Sequence, residues 1–151
     1  MEEDLKKIKK SIENTDNALV KLAGINVIDI EQNHVKLEMP LGTVNVNHIG
    51  TAYAISMIML MEVAGTSLIR ATYGFDKYIP IIKKVAISFI KPTDKTLICD
   101  LEISEQEAKD KIAFIEENNK GNYELAVVLK DIDANEVAKA EFVFYLFKSN
   151  K

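Results

Sequence analysis

From Ile49 to Ile69 the chain is almost wholly apolar, a run of about the length that spans a bilayer. It nevertheless carries Glu62 within it, together with Thr51, Ser56, Thr66 and Ser67, and no matching span follows. A mid-span carboxylate costs about 3 kcal/mol even on insertion scales. The run therefore reads as a helix buried on nearly all sides inside a protein, with no membrane partner. The rest of the chain has to cover that helix.

The flanking segments have the right character. Residues 2 to about 22 read as a helix with Leu5, Ile8 and Ile12 on one stripe, a possible break at Asn14 to Asn17, and Gly24 closing it. Ile25 to Glu31 and His34 to Met39 read as strands joined at Gln32-Asn33. Beyond the long helix, which Gly74 closes as a left-handed cap, the apolar period becomes two. Val85, Ile87 and Phe89 share a face, as do Leu97, Cys99, Leu101 and Ile103. Ser104 with Glu107 has the form of a capping box for a short charged helix toward Asn119, with Gly121 after it. Tyr123 to Lys130 and Val137 to Phe147 are the last strands, the second carrying Ala138, Ala140, Phe142, Phe144 and Leu146 on one face.

Strands near one another in sequence usually pair antiparallel, and one sheet must cover its apolar face. The expected class is α+β, a curved antiparallel sheet of about six strands wrapped around one long central helix. All 151 residues read as one domain, an N-terminal helix over 1–22 and a core over 23–148.

The long helix also carries chemistry. At about 100° per residue, Thr51, Glu62, Thr66 and Arg70 share one arc. Packing does not need a polar stripe on a buried helix. A carboxylate in apolar surroundings is costly unless it is paired, so Glu62 is a candidate general base or nucleophile, or else a partner of Arg70 or a lysine, or a side chain that simply reaches solvent at a helix edge. Just upstream, Asn45-Val46-Asn47-His48-Ile49-Gly50-Thr51 offers capping side chains, a glycine that lets a ligand approach, and the unpaired amides of a helix start. His34 begins a strand and is assigned no role.

The run N-H-I-G-T-A-Y-A at 47–54, followed by M-E-V-A-G at 61–65, resembles the hotdog-fold acyl-CoA thioesterases. The likeness is closest to a group, described only as a domain of unknown function, that carries N-H-x-G-T-x-Y-A and a later E-x-A-G. The order of elements and the F-I-K-P ending at 89–92 are similar too. The resemblance implies that Glu62 attacks the thioester or activates water, that Thr66 positions that water, and that Asn47 polarises the carbonyl. His48 with Glu62 also resembles the pair in hotdog acyl-carrier-protein dehydratases, so a dehydratase or hydratase is an alternative. A second alternative is a module that binds acyl-CoA without cleaving it.

One departure concerns the oxyanion. Many members of the family carry a His-Gly-Gly run about eight or nine residues before the carboxylate, where this chain has Tyr53-Ala54-Ile55. The oxyanion amide then belongs to Ala54 or Ile55, or moves to Gly50 or Thr51. For the phosphates of coenzyme A, which enters as part of the substrate, the candidate cation is Lys91. Lys83, Lys84 and Lys95 read as a solvated edge that also guards against strand aggregation. The resemblance further implies a homodimer or a dimer of dimers with each site at a subunit interface. The long edge Val137 to Phe147 suits such pairing, since an exposed edge of that kind would aggregate.

Other classes are poorly served. A net charge of −4 disfavours a nucleic-acid surface. One Cys and two His make no zinc cluster, and neither a G-x-S-x-G elbow nor a Gly-rich phosphate loop is present. Cys99 alone and an N-terminus without an apolar signal core point to a cytoplasmic setting. Met57, Met59 and Met61 either shape an adaptable pocket or fill the core.

Overall fold

The computed structural model describes residues 1–150. Its elements run α1 (Glu2–Glu13), α2 (Ala18–Ala23), β1 (Asn26–Glu31), β2 (His34–Met39), α3 (Ala54–Tyr73), β3 (Tyr78–Phe89), β4 (Leu97–Glu102), α4 (Glu105–Asn118), β5 (Lys120–Asp131) and β6 (Glu136–Lys148). The six strands form one antiparallel sheet in the order β1-β2-β4-β5-β6-β3.

α3 lies on one face of this sheet and touches β2, β4, β5 and β3. Those strands are four spacings apart end to end, about 19 Å, whereas a helix with its side chains is about 10 Å across. The sheet meets the helix at both ends only by curving around it. The period-two pattern supplies the contact: Val35, Leu37 and Met39 from β2, Leu97, Cys99 and Leu101 from β4, and Ala138, Ala140, Phe142, Phe144 and Leu146 from β6 are all buried. Gly65 lets the helix sit close, since a Cβ there would lie 2.9 Å from Phe144 Cζ.

The local punctuation is visible as well. The N-terminal helix breaks in two, with Asn17 accepting from the amides of Leu19 and Val20 to open α2 and Gly24 closing it in the left-handed conformation. Ser104 Oγ accepts from Glu107 N at 3.1 Å and opens α4.

Several expectations need correction. The long helix does not begin at Ile49: residues 49–53 are not helical, and α3 starts at Ala54 with Tyr53 as its N-cap. Gly74 closes α3 with φ 107° and ψ 147°, outside the left-handed helical region. Asn119, not Gly121, takes the left-handed position after α4, and Gly121 is the second residue of β5, where a Cβ would press on Phe114 and Ile115. β3 begins at Tyr78, well before Val85. Finally, β6 lies between β5 and β3 and is no edge, so the free edges belong to β1 and to the twelve-residue β3.

Candidate functional site

Although cradled by the sheet, α3 is not buried all round. Ser56, Met57, Leu60, Met61, Ala64, Gly65, Leu68, Ile69 and Ala71 are buried, while Ile55, Ile58, Met59, Glu62, Val63, Thr66 and Arg70 form an open or half-open stripe. Met57 and Met61 fill the core, and only Met59 of the three methionines reaches this stripe. Glu62 is therefore half-buried at the middle of the helix, among apolar neighbours.

Its nearest polar partner is one turn along. Thr66 Oγ1 lies 2.9 Å from Glu62 Oε1 and 2.9 Å from the Glu62 carbonyl oxygen. No lysine or arginine comes within ion-pair distance of Glu62 among the described residues. Arg70, one of the alternative partners for Glu62, leans over the Phe75 ring with its guanidinium carbon 4.8 Å from the centroid. Burial lowers the Arg70 pKa, opposed by the negative fields of Asp76 and Glu62.

The segment before α3 is a turn closed around the Asn47 side chain. Asn47 Oδ1 accepts from the amides of Ile49 and Thr51, each at 3.1 Å, and Asn47 Nδ2 donates to Thr51 Oγ1 at 2.8 Å. Gly50 takes φ 81° and donates its amide to Asn47 O. The amides of Gly50 and Thr51 are thus already used, and Thr51 stands off the helix, outside the Glu62–Thr66–Arg70 stripe. Ala54 and Ile55, by contrast, occupy the first turn of α3, which has no side-chain cap, so their amides have no intrahelical acceptor. His48 is exposed at the tip of the turn.

Two further contacts anchor this mouth. Asn45 is buried and donates Nδ2 to Ala23 O at 2.8 Å and Pro40 O at 3.1 Å. Thr93 O accepts the Ala52 amide at 2.8 Å, which brings the loop after β3, and with it exposed Lys91, beside the start of α3. Two of the other lysines are engaged elsewhere: Lys95 pairs with Asp133, and Lys83 donates to Asn122 Oδ1. His34 lies between Asp100 (2.7 Å) and Asp29 (3.5 Å) on the sheet.

A family model described as a domain of unknown function, DUF4442, matches residues 17–146. The chain belongs to that family. No curated protein matches it by sequence. Solved structures agree closely in fold. A probable thioesterase of unknown function from Pseudomonas aeruginosa, PA5026, superposes with a TM-score of 0.84 at 24% identity over 95% of each chain. Zebra fish thioesterase superfamily member 2 gives 0.69 at 11% identity, covering 93% of this chain and 96% of its own. Protein smu.793 of Streptococcus mutans, bound to acetyl CoA, gives 0.63 at 16% identity, covering 85% and 92%. The DUF4442 chain thus has the hotdog fold, as its motifs suggested.

Proposed function

We propose that this chain is an acyl-CoA thioesterase in which Glu62 serves as base or nucleophile. The observation that carries the reading is the Glu62–Thr66 pair: a half-buried carboxylate with no cation within ion-pair distance among the described residues, oriented by a hydroxyl on the open stripe of a core helix. In hydrolysis, water or the carboxylate adds to the thioester carbonyl, its oxygen gains negative charge, and the thiolate leaves. As a base, Glu62 takes the proton of the water that Thr66 orients. As a nucleophile, it forms an anhydride that water then opens.

The oxyanion needs donors, and the free amides of Ala54 and Ile55 suit it. They precede Glu62 by seven or eight residues, about 12 Å along the helix at 1.5 Å per residue. That is too far for both ends to serve one carbonyl, so the helix start is supplied by a second copy. The apolar stripe on α3 and the unpaired β3 edge, with Ile79 and Ile81 exposed, are surfaces suited to that pairing. Asn47 keeps the turn before α3 in place, and Lys91 at the same mouth faces the phosphates of coenzyme A. The acetyl CoA bound by the Streptococcus mutans neighbour supports a thioester ligand.

The test is thiol release from a panel of acyl-CoAs. Glu62→Ala is expected to lose about 10²- to 10⁴-fold in turnover. Equal rates for variant and wild type overturn the mechanism. Tight binding without thiol release by the wild type selects the non-catalytic alternative.

A further inference from the structure

The guanidinium of Arg70 is the one group on the α3 stripe whose chemistry is left over. Its Nε is buried without a hydrogen-bond partner, and none of its nitrogens is bonded to another described residue. The Nε–H is thus a buried donor that carries a desolvation cost with no hydrogen bond in return. The nearby carboxylates are occupied elsewhere: Asp76 is 3.7 Å from Lys7 Nζ, Asp4 Oδ1 accepts the Phe75 amide, and Glu62 Oε1 accepts from Thr66. The Phe75 ring beneath the guanidinium supplies no hydrogen-bond acceptor to its edge.

We propose that Arg70 recognises a carboxylate at the far end of the acyl group, which makes the preferred substrates thioesters of dicarboxylic acids. The inference rests on the thioesterase reading. Glu62, Thr66 and Arg70 follow one another at intervals of four residues on one side of α3, so Arg70 stands about 12 Å along the helix from Glu62. An extended chain covers about 3.5 Å per three bonds, so a backbone of about ten bonds joins a carbonyl at Glu62 to an anion at Arg70. A guanidinium takes a carboxylate by two parallel bonds, the geometry that a free fork offers.

The surroundings favour the acyl group over the carrier as the source of the anion. Asp76 and Glu62 already place negative field around Arg70, and the helix ends there with its carbonyls. One carboxylate balances one guanidinium, whereas the several charges of a coenzyme A nucleotide would be repelled. Apolar Phe75 beside Arg70 and Val63 beside Glu62 suit methylenes.

The experiment uses non-hydrolysable S-alkyl thioethers of coenzyme A with a chain of about ten carbons, with and without a terminal carboxylate. Calorimetric affinities are measured for the wild type, Arg70→Gln and Arg70→Lys, with gel filtration of each. The wild type is expected to bind the carboxylated probe about 10- to 100-fold tighter than the neutral one. Arg70→Gln should bring that ratio near one, and Arg70→Lys should restore part of it.

A wild-type ratio near one overturns the inference and leaves the thioesterase reading standing, without recourse to any variant. Failure of both probes to bind overturns that reading and this inference with it. If Arg70→Gln weakens both probes equally, and an acyl N-acetylcysteamine not at all, the guanidinium holds carrier phosphate and the inference fails. It fails too if the variant only dissociates the oligomer, which would assign the guanidinium to a carboxylate of a second copy.

Discussion

Thr66 Oγ1 sits 2.9 Å from Glu62 Oε1 and equally close to the Glu62 carbonyl oxygen, so one hydroxyl links the side chain and the backbone of the residue a turn earlier. A hydroxyl has one proton, and in this arrangement it is shared between a backbone acceptor and a carboxylate. Such sharing fixes the Glu62 rotamer. It also leaves the second carboxylate oxygen free for water or a thioester.

Thr66→Val keeps the shape and removes the hydroxyl. A bond to a charged group is worth about 1.5–3 kcal/mol, so kcat in thiol release is expected to fall about 10- to 100-fold. KM should change little, because the substrate's remaining contacts persist. Thr66→Ser should restore most of the rate. If the valine variant retains wild-type kcat, Thr66 is merely a helix residue bonding back to its own turn.

How much of this was legible in the sequence depends on how local the cause is. The alternation in β2, β4 and β6 and the Ser104 cap are written into neighbouring residues, and they appear where expected. The start of α3 is not legible locally, because Asn47, Gly50 and Thr51 are residue types that also open helices. The bonds from the Ile49 and Thr51 amides to Asn47 Oδ1 mark a turn that ends before the helix. Which strand forms the edge is set by pairing across the chain: β6 carries the long apolar alternation, yet β3 lies outside it. In the stripe, Glu62, Thr66 and Arg70 follow from helical spacing alone. That Arg70 turns to Phe75 and leaves Glu62 to Thr66 depends on rotamers, which no periodicity encodes.

Gly65 lies between Glu62 and Thr66 but on the sheet side of α3. A methyl there would stand 2.9 Å from Phe144 Cζ, 3.1 Å from Cε2 and 3.2 Å from Leu125 Cδ2. Phe144 cannot easily retreat, because it is fully buried and stacks on Phe142 with centroids 5.7 Å apart. Overpacking costs about 1–3 kcal/mol, against a helix-propensity gain of up to about 1 kcal/mol for alanine. Gly65→Ala is therefore expected to lower Tm by roughly 3 °C per kcal/mol of net loss in a thermal melt. A Tm at or above that of the wild type would mean the ring moves aside.

At the far end of α3's sheet, Glu116 of α4 ties together two strands. Its carboxylate accepts from Lys77 at 2.7 Å, from the Tyr78 hydroxyl, and from Lys148 at 3.0 Å. Those bonds, the one from Lys77 foremost, lower its pKa from 4.5 to about 2. A depressed carboxylate pKa stabilises the folded chain above the unfolded value, and that contribution disappears as pH falls from 4.5 toward 2. Because the group is partly exposed, water and salt screen it, and about 1 kcal/mol is the expected size. Glu116→Gln should therefore melt a few degrees below the wild type at neutral pH, with the gap closing as the solution is acidified through this window. The gap should also narrow in high salt. A difference that persists unchanged at the acid end would assign the loss to packing of α4 rather than to the charge.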